Sequence, residues 1–318
     1  MDAVAITGAT GLIGTALAAS FARDGIRVSA LVRNTARAAE LLPSATLYAW
    51  DATKGPPPES AFAGVDVVVN LIGEPMGDGR WSEARKKLLR DSRVVGTRAL
   101  VDGLRGLSRR PRVLISASGV GYYGDRGDQI LTETTEAGTG FVAELARDWE
   151  AEALKAGDAG IRVVRLRNGI VLSRTGGILQ KLLPPFRLGL GGRIGTGRQW
   201  MPWIHLEDEV ALIRHAIARE EVVGALNAVA PEPVTHAEFV RALGEALGRP
   251  TVLRAPVVAL RLALGEMVDE LLLASQRAMP VRTLDSGFSF RHPLLRAALD
   301  EVLAKPTRSA PAPAATVT

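Results

Sequence analysis

The chain has 318 residues, of which 47% are hydrophobic, 23% are charged and none is cysteine. This length and apolar content allow a sizeable core in one large domain, or in a domain with a smaller neighbour, and exclude wholesale disorder. The lack of cysteine excludes disulfides and thiolate-bound metals. No apolar run reaches the roughly 20 residues of a membrane span, and the segment from Met1 to Ile6 lacks the basic start of a signal peptide, so we expect a cytoplasmic protein.

The net charge of +5 and the pI near 9.9 raise the question of a nucleic-acid partner. Basic residues are scattered or lie on one predicted helix, as do Arg85, Lys86, Lys87 and Arg90, and aromatic residues make up only 5% of the chain. A nucleic-acid surface requires clustered cations with aromatic side chains between them for base stacking. The sequence therefore favours a solvated helix face and predicts neither a nucleic-acid nor a membrane partner.

The first 170 residues alternate β-branched apolar runs with amphipathic stretches, a pattern typical of βαβ units around a parallel sheet. The strands are almost continuously apolar, as expected where helices cover both faces of a sheet. The predicted strands are Val4–Thr7, Arg27–Val32, Thr46–Trp50, Asp66–Leu71, Arg112–Ser116 and Arg162–Leu166. The predicted helices between them are Leu12–Arg23, Thr35–Leu42, Trp81–Leu104 and Phe141–Ala156.

The pattern changes beyond Gly169, where we place a boundary between a dinucleotide-binding domain, residues 1–169, and a substrate-binding region, residues 170–304. A glycine-dense segment that ends near Trp203 predicts loop and short strand. We expect the chain to cross back to the sheet, and we expect residues 305–318 to form a disordered tail. Further helices are predicted at Glu207–Arg219, His236–Leu247, Val257–Leu273 and Pro293–Leu303. The expected fold class is α/β: a Rossmann doubly wound parallel sheet with a smaller, mixed, mainly helical C-terminal region.

A glycine-rich turn follows the first predicted strand and opens the first predicted helix. Gly8 permits the tight turn, Gly11 lets a pyrophosphate approach the backbone, and Gly14 lets the helix pack close to the strand. Backbone amides at the start of the helix then point toward the phosphates, namely those of Thr10, Gly11, Leu12 and Ile13. This context predicts a nicotinamide dinucleotide site.

The second strand is followed by Arg33 and Asn34, with no carboxylate, where an acid would bind the ribose of NAD and an arginine would suit the 2′-phosphate of NADP. Arg33 can donate charge-assisted hydrogen bonds to that phosphate, and its alternative role is that of a solvent-exposed arginine. The sequence therefore predicts NADP as the cofactor. Asp51, after the third strand, either accepts from the adenine amine or caps a turn.

Further segments resemble the extended short-chain dehydrogenase superfamily, which includes nucleotide-sugar epimerases and dehydratases. Asn70-Leu71-Ile72-Gly73 looks like the fourth-strand motif of that superfamily, and the resemblance adds Leu71 and Gly73 to the expected cofactor contacts. Four segments are similar to one subgroup, named only as epimerase family proteins: Arg80-Trp81, Ser118–Asp125, Gly195–His205 and Ser286–Arg291. The similarity runs to about residue 304 and includes a helical C-terminal extension of that subgroup.

The resemblance also implies a catalytic Tyr-x-x-x-Lys pair on the helix after the fifth strand, in which the lysine lowers the pKa of the tyrosine. It further implies a serine at the end of that strand. The serine is present as Ser118, with Ser116 as the second choice. The expected helix, from Phe141 to Glu150, contains neither Tyr nor Lys, and Arg93 stands where an asparagine is usual. The usual machinery for hydride transfer is therefore incomplete.

Tyr123 is the candidate for a substitute proton donor, because it follows Ser118 in a loop near the expected pocket. Its phenol would need a neighbouring positive charge, for which Arg126 and Arg167 are the candidates. The alternative is that Tyr123 packs under the pocket. Glu133, Glu144 and His205 are further acid–base candidates, and His205 alternatively binds the start of the following helix.

The predicted substrate region contains aromatic and cationic groups. Three tryptophans form either a pocket wall or part of the core: Trp81, Trp200 and Trp203. Three arginines are candidates to bind an anionic group, which the resemblance implies is a nucleotide diphosphate: Arg167, Arg193 and Arg198. Four separated histidines without cysteine predict no metal site.

Together these features predict an NADP(H)-dependent, epimerase-like oxidoreductase that acts on a small molecule, for which a nucleotide sugar is one candidate. The alternative is an NADP(H)-binding sensor or regulatory protein whose catalysis is impaired, because the Tyr-x-x-x-Lys pair is missing. The resemblance also makes a homodimer an expectation.

Overall fold

The computed structural model describes residues 1–304, so the predicted tail lies outside the described residues. The strands are β1 (Ala3–Thr7), β2 (Arg27–Val32), β3 (Ala45–Ala49), β4 (Val67–Asn70), β5 (Val113–Gly119), β6 (Ile130–Leu131), β7 (Arg162–Asn168), β8 (Ile170–Leu172), β9 (Gly192–Ile194), β10 (Trp203–His205), β11 (Gly224–Ala228), β12 (Leu253–Ala255) and β13 (Arg277–Ala278). The α-helices are α1 (Leu12–Arg23), α2 (Thr35–Leu41), α3 (Glu83–Arg90), α4 (Gly96–Gly106), α5 (Phe141–Leu154), α6 (Ile178–Arg187), α7 (Leu206–Ala218), α8 (His236–Leu247), α9 (Val257–Leu264), α10 (Val281–Asp285) and α11 (Leu295–Leu303).

The centre of the molecule is a seven-stranded parallel sheet in the order β11-β7-β5-β4-β1-β2-β3. Strand order reverses between β1 and β4, where Thr7 pairs with Asn70 on one side and with Leu31 on the other. In doubly wound sheets, ligands bind at the carboxyl ends of the strands next to such a reversal. The predicted Rossmann fold class is confirmed, and the reversal places the predicted glycine turn at that position.

Successive side chains of the strands contribute alternately to two hydrophobic cores, one on each side of the sheet. Within β1, Val4 and Ile6 belong to the core that α1 and α7 cover, whereas Ala3 and Ala5 face the core beneath α4. Successive side chains of a strand point to opposite faces, so a strand buried on both sides must be apolar throughout. This is why the first half of the sequence shows short continuous apolar runs.

The C-terminal region adds both the seventh strand and a separate small core. Strand β11 pairs in parallel with β7, which is the expected return of the chain to the sheet. Helices α6, α8 and α11 pack around their own apolar cluster, which includes Leu183, Phe239 and Leu299. Two two-stranded pairs lie within this region, β8 with β10 and β9 with β12, and a third, β6 with β13, connects it to the first half of the chain.

Two predicted helices are interrupted in the structure. The helix predicted from Trp81 begins at Glu83, because the Ser82 side chain accepts from the Arg85 amide, and it contains a π-helical turn at Asp91–Val95. The helix predicted at Val257–Leu273 ends at Leu264, where Gly265 has a φ of 66°. That backbone conformation favours glycine and ends helices, and a π-helical segment follows it.

The remaining helix predictions are accurate to within about two residues at either end. No helix within residues 1–304 combines the length and the apolar composition that a membrane crossing requires.

Candidate cofactor and substrate site

The glycine turn between β1 and α1 is packed too tightly for side chains. Gly8 has a φ of 62°, and a Cβ there would lie 2.3 Å from the Leu71 carbonyl oxygen. A Cβ at Gly14 would lie 2.4 Å from the Gly8 carbonyl oxygen. The backbone at Gly8 therefore packs directly against the residue that follows β4, and the backbone at Gly14 packs directly against Gly8. Gly11, which forms the N-cap of α1, is exposed.

The start of α1 has the properties of an anion site. Gly11 provides no side-chain cap, and the first turn contains no acidic residue. The amides of Leu12, Ile13 and Gly14 belong to the first helical turn, which has no acceptors within its own helix. Thr10 lies beside them at the surface. These groups fit a pyrophosphate, because free amides and the positive end of the helix dipole both favour a negative charge.

Arg33, which follows β2, is 74% exposed and donates to Glu74 Oε1 at 2.7 Å. Glu74 follows β4, and its other carboxylate oxygen lies 3.9 Å from Arg85. The guanidinium therefore lies at the end of β2, where the sequence predicted a contact with the 2′-phosphate. It is already paired with the Glu74 carboxylate, which a bound phosphate would have to displace. Sequence reasoning missed Glu74.

Asp51 forms the turn that was one of its two predicted roles. Its carboxylate accepts from the Thr53 amide at 3.1 Å and from the Thr53 hydroxyl at 2.8 Å. These two hydrogen bonds lower the pKa of Asp51, more than its slight burial raises it. The carboxylate remains partly exposed, with Lys54 at 3.2 Å.

Leu71 and Gly73 follow β4 at the predicted position beside the glycine turn. Arg93 stands where an asparagine is usual. Its guanidinium packs against Gly73, where an added Cβ would lie 3.0 Å from it, and it donates to the Glu74 carbonyl at 2.9 Å. Burial lowers the pKa of Arg93 to about 10, so the side chain stays charged at neutral pH. The guanidinium carbon of Arg93 also lies 5.2 Å from the centre of the Trp149 ring of α5, and this cation–π contact helps to hold the side chain in place.

Ser116, the second serine candidate, belongs to a buried polar network under the strand reversal. Asn70 donates to Ser116 Oγ at 3.1 Å and to Thr97 Oγ1 at 2.9 Å, and it accepts from Thr7 at 2.7 Å. The Trp149 indole also donates to Thr97. A network with its members paired in this way holds strands and helices together rather than binding ligand.

Ser118, the first serine candidate, is buried and donates to Glu150 Oε1 at 2.8 Å. Glu150 also accepts from Arg167 Nε at 2.8 Å, from Arg167 Nη2 at 3.0 Å and from Arg165 Nη1 at 2.7 Å. Both oxygens of this buried carboxylate are thus paired with cations, as a buried charge requires. In this arrangement the Ser118 proton points toward Glu150 and not toward a substrate.

Tyr123 has no exposed surface, and its hydroxyl is fully engaged. It donates to Asn227 Oδ1 at 2.6 Å and accepts from Arg167 Nη1 at 3.0 Å. Burial raises the pKa of Tyr123 to about 12, and the positive charge of Arg167 offsets this only in part. The geometry therefore matches the alternative role, in which Tyr123 packs beneath the pocket, and it opposes the role of proton donor.

The other acid–base candidates are also placed in structural roles. Glu133 is buried and accepts from the amides of Asn227, at 3.1 Å, and Arg282, at 3.2 Å. Glu144 is exposed in the first turn of α5. His205 caps α7, because its Nδ1 accepts from the Glu207 amide at 3.2 Å, which confirms the helix-start interpretation. Arg126 donates to the carbonyl of Tyr123 rather than to its phenol.

His205 and His292 form a buried pair that the sequence did not reveal, with ring centroids 3.9 Å apart. Together with Glu301 they offer ligand atoms within 4.8 Å of one another. A neutral imidazole has one lone pair, however, and His205 uses it for the Glu207 amide. Burial, and then the neighbouring His292, lower the pKa of His205. The cluster is therefore explained by packing and capping without a cation.

A cavity of about 400 Å³ lies at the carboxyl ends of β5 and β7, and we call it the central cavity. Its floor is the backbone of Gly119, Gly121 and Gly169. Helices α6 and α8 provide the apolar walls, which include Ile178, Leu182, Phe186, Phe239 and Val240. The cavity lies beside the strand ends at which a doubly wound sheet binds its ligands, and its size is that of a small-molecule site.

The α5 side of the central cavity carries Val142, with Ala146 buried one turn further on. These two apolar residues have the same i, i+4 spacing on the helix as the tyrosine and lysine of a Tyr-x-x-x-Lys pair. Glu270, in the π-helical segment after α9, accepts from the amides of Phe141 at 3.3 Å and Val142 at 3.1 Å. A carboxylate from the C-terminal region therefore caps α5 and also lines the cavity.

Few other polar groups line the central cavity. Gln199 donates to the Leu272 carbonyl at 3.0 Å. His236 Nδ1 is buried and has no hydrogen-bond partner within residues 1–304, and burial lowers the pKa of His236 to about 4. The imidazole is therefore neutral at pH 7 and is available to a ligand. Asn168 and Gln276 complete the polar lining.

Behind Asn168 lies a fully buried acid, Glu209 of α7. With its nitrogen turned toward the acid, the Asn168 amide donates to Glu209 Oε1 at 3.2 Å and to the Leu166 carbonyl at 3.2 Å. Glu209 Oε2 has no partner among the described residues. Burial raises the pKa of Glu209 to about 8, so the group is mostly protonated at neutral pH.

The three tryptophans divide between their two predicted roles, and the three candidate arginines lie outside the cavity lining. Trp200 lines the central cavity, whereas Trp81 and Trp203 are buried in separate cores. None of the three predicted arginines lines it: Arg167, Arg193 and Arg198. Arg167 is instead only 3% exposed and ion-paired with Glu150, so it cannot reach a bound anion.

These features belong to a known group of proteins. The model of the NAD dependent epimerase/dehydratase family matches residues 4–228. The chain belongs to this family. A second match, to a domain of unknown function (DUF1731), covers residues 255–302, which include Glu270. The resemblance to epimerase family proteins is thereby confirmed.

Relatives within the family cover almost the whole chain. An epimerase family protein of Mycobacterium leprae is 43% identical over 96% of this chain and 97% of its own length. The human epimerase family protein SDR39U1, crystallised with NADPH, superimposes with a TM-score of 0.84 at 35% identity, over 94% of this chain and 98% of that chain. A nucleoside-diphosphate sugar epimerase from Corynebacterium glutamicum gives a TM-score of 0.76 at 35% identity, over 94% of this chain and 58% of that chain.

Proposed function

We propose that this chain binds NADP(H) and is an oxidoreductase that acts on a small-molecule carbonyl compound or the corresponding alcohol. The observation that carries the proposal is the uncapped start of α1 behind the Gly8–Gly14 turn, with Arg33 beside it. The human relative crystallised with NADPH supports the same cofactor.

Each part of the cofactor has a matching group in the chain. The pyrophosphate fits the amides of Leu12 to Gly14, and the 2′-phosphate fits Arg33. Leu71 and Gly73 lie between the glycine turn and the strand ends, where Gly119 and Gly169 form part of the floor of the central cavity. When bound there, the nicotinamide supplies a hydride to a carbonyl carbon or accepts one from an alcohol carbon.

The chain's own contribution is to bind, orient and shield the substrate. The apolar walls of the central cavity exclude most water, and the glycine floor lets the substrate approach the strand ends. Val142 stands on the α5 face where a tyrosine would be expected, and Tyr123 is sealed beneath the cavity. Neither position can therefore supply the proton that accompanies the hydride, and we assign that proton to water. This arrangement favours slow catalysis, since a positioned acid or base contributes about 10² to 10⁴ in rate.

A second candidate function is that of an NADP(H)-binding sensor or regulator. Ser118 and Tyr123, the two residues expected to touch a substrate oxygen, are both committed to buried partners. This observation favours a protein that kept the cofactor site and lost the chemistry. Turnover distinguishes the two candidates.

The test combines binding with turnover. Calorimetric titration of the purified protein with NADPH and with NADH is expected to show binding of both, with NADPH the tighter. NADPH consumption is then followed with a panel of ketones and aldehydes, and NADP⁺ reduction with the matching alcohols. Consumption above that of a protein-free control supports the oxidoreductase. Binding without any consumption supports the regulator, and a lack of heat with either dinucleotide contradicts both.

A further inference from the structure

The chemistry of the central cavity wall is unusual for a site that would hold a nucleotide diphosphate. Most lining side chains are aliphatic or aromatic, and none of the lining residues within residues 1–304 is lysine or arginine. Glu270 is the one lining residue among them with an ionised side chain, and it is negative. His236 is neutral because burial depresses its pKa. The wall therefore offers an anion no compensating charge and one repulsive charge.

Electrostatics then decides between ligand classes. A nucleoside diphosphate brings about two negative charges, and moving an unpaired anion into an apolar site costs several kcal/mol or more. Proteins that bind phosphates meet this cost with arginine, lysine or helix N-termini. The uncapped N-terminus of α1 lies on the cofactor side. That of α6 also has no side-chain cap and meets the cavity wall at the apolar Ile178, where it offers only the partial charge of a helix dipole. The N-terminus of α5 already has Glu270 as its cap.

Several cations of residues 1–304 adjoin lining residues in sequence, among them Arg193 and Arg198, but none lines the cavity, and two of them are held by other groups. Arg167 is buried against Glu150, and its guanidinium stacks on the Tyr122 ring at 3.5 Å. Arg277 lies over the Trp200 ring at 4.5 Å but does not line the cavity. Neither side chain can neutralise a pyrophosphate without leaving its present partner.

We propose that the central cavity takes an uncharged, mainly apolar carbonyl compound or the corresponding alcohol, and not a nucleotide sugar. For the reaction, this rests on the proposed function. In the reductive direction, a hydride from NADPH forms the new C–H bond at the carbonyl carbon, and the C=O π bond becomes the C–O⁻ electron pair. A proton from water then completes the alcohol, and NADP⁺ is released. The binding preference stands independently of this step.

The C-terminal region provides the means of this selection. Glu270, Leu271, Leu272, Ala274 and Gln276 all line the cavity and all lie within residues 255–302, the region matched to a domain of unknown function. They form one wall, opposite the α6 and α8 walls. We therefore infer that this region determines which substrates enter, through apolar contact and the negative charge of Glu270.

The experiment compares two ligands that share the ketone and the alkyl chain and differ at the chain end, which is uncharged in one and a carboxylate in the other. Protein saturated with NADP⁺, which cannot reduce a ketone, is titrated calorimetrically with a medium-chain methyl ketone and with the same chain ending in a carboxylate. UDP-glucose is the third probe. The expected result is ketone binding at least ten-fold tighter than that of the keto acid, and no measurable binding of UDP-glucose. Equal or tighter binding of either anion, or a lack of ketone binding, would overturn the proposal.

A pair of leucine variants tests the location. Leu182→Lys places a cation in the wall of the central cavity, whereas Leu188→Lys changes a residue that is 75% exposed at the end of the same helix. We expect Leu182→Lys to weaken ketone binding at least ten-fold and Leu188→Lys to leave it unchanged, with NADPH binding unaltered in both. If Leu182→Lys does not fold, the matched ligands on the unaltered chain still decide the question.

The same titrations separate this proposal from the proposed function. Ketone binding by the unaltered chain in the absence of nucleotide, together with no NADPH binding, would contradict the cofactor assignment and leave the ligand class intact. NADPH binding together with tighter binding of the anionic ligands would support the cofactor assignment and contradict the proposed ligand class.

Discussion

The guanidinium of Arg33 donates to the carboxylate of Glu74 at 2.7 Å, joining the end of β2 to the loop after β4. In the proposed complex, the 2′-phosphate of NADPH needs the same guanidinium. Binding must therefore replace one anion by another at Arg33, and the exchange gives the site a measurable preference between the two dinucleotides.

Replacing Arg33 by glutamine is expected to weaken NADPH binding by roughly ten-fold or more, since a charge-assisted hydrogen bond contributes about 1.5 to 3 kcal/mol. NADH lacks the 2′-phosphate, so its affinity should change little. Calorimetric titration with both dinucleotides measures the difference. Equal losses for NADPH and NADH would remove Arg33 from its proposed role.

Replacing Glu74 by glutamine is expected to act in the opposite direction. The variant removes the carboxylate that competes for Arg33 and would repel a phosphate, so NADPH should bind a few-fold tighter, with NADH again as the internal control. The gain should shrink as salt concentration rises, because Arg33 is largely exposed. Weaker NADPH binding by Glu74→Gln would show that the carboxylate positions Arg33 rather than competing for it.

The variant Tyr123→Phe is expected to reduce stability without altering turnover. Removing the hydroxyl leaves Asn227 Oδ1 without its buried donor and leaves Arg167 Nη1 with only the Glu133 carbonyl, at a cost of about 1 to 3 kcal/mol in the free energy of unfolding. Urea unfolding measures that cost, and the pH profile of NADPH consumption should be unchanged. A lost or shifted limb in that profile would instead return Tyr123 to the role of proton donor.

Glu209 predicts a pH dependence of stability. The folded chain keeps this carboxyl protonated up to a pH near 8, whereas the unfolded chain releases the proton near the ordinary value of 4.5. Raising the pH through this interval therefore favours the unfolded chain. Glu209→Gln, which mimics the protonated acid, should match the unaltered chain near pH 4.5 and exceed it at pH 8 by on the order of 2 to 4 kcal/mol. Urea unfolding at several pH values tests this, and parallel curves for the two proteins would contradict it.

Glu270 caps α5 and also lines the central cavity, and the variant Glu270→Gln tests both roles. The amide keeps one oxygen for the α5 amides but loses the charge, so we expect a loss of about 0.5 to 1 kcal/mol in stability and a few-fold gain in binding of the keto acid. Ser82→Ala provides the control, because it removes the cap of α3 and does not line the central cavity. If both variants change stability but neither changes ligand binding, Glu270 is a cap only.

The sequence was sufficient for the fold and for the cofactor turn because both depend on local rules. Apolar runs such as Val67–Asn70 mark strands buried on both faces, and glycines at 8, 11 and 14 mark a turn whose backbone leaves no room for a Cβ at Gly8 or Gly14. Even the missing Tyr-x-x-x-Lys pair was visible, since it needs only the residue letters of α5.

The substrate site was less accessible because its groups come from distant parts of the chain. Glu270 meets the Val142 amide across 128 residues, and His205 meets His292 only after α11 has packed. Neither pairing leaves a periodic trace. One signal was available: Arg165 and Arg167 lie two residues apart on one face of an interior strand, and a buried cation such as Arg167 requires an acid, which is Glu150.

The pairing of β11 with β7 constrains how this protein can be shortened. Any fragment that ends near residue 169 contains every strand of the sheet except the last, and leaves the backbone from Val164 to Asn168 without the partner that Gly224 to Ala228 supply. Bare amides and carbonyls on an exposed edge strand recruit strands from other molecules. A fragment cut at that boundary would self-associate, whereas one that extends past Ala228 would protect its own flank.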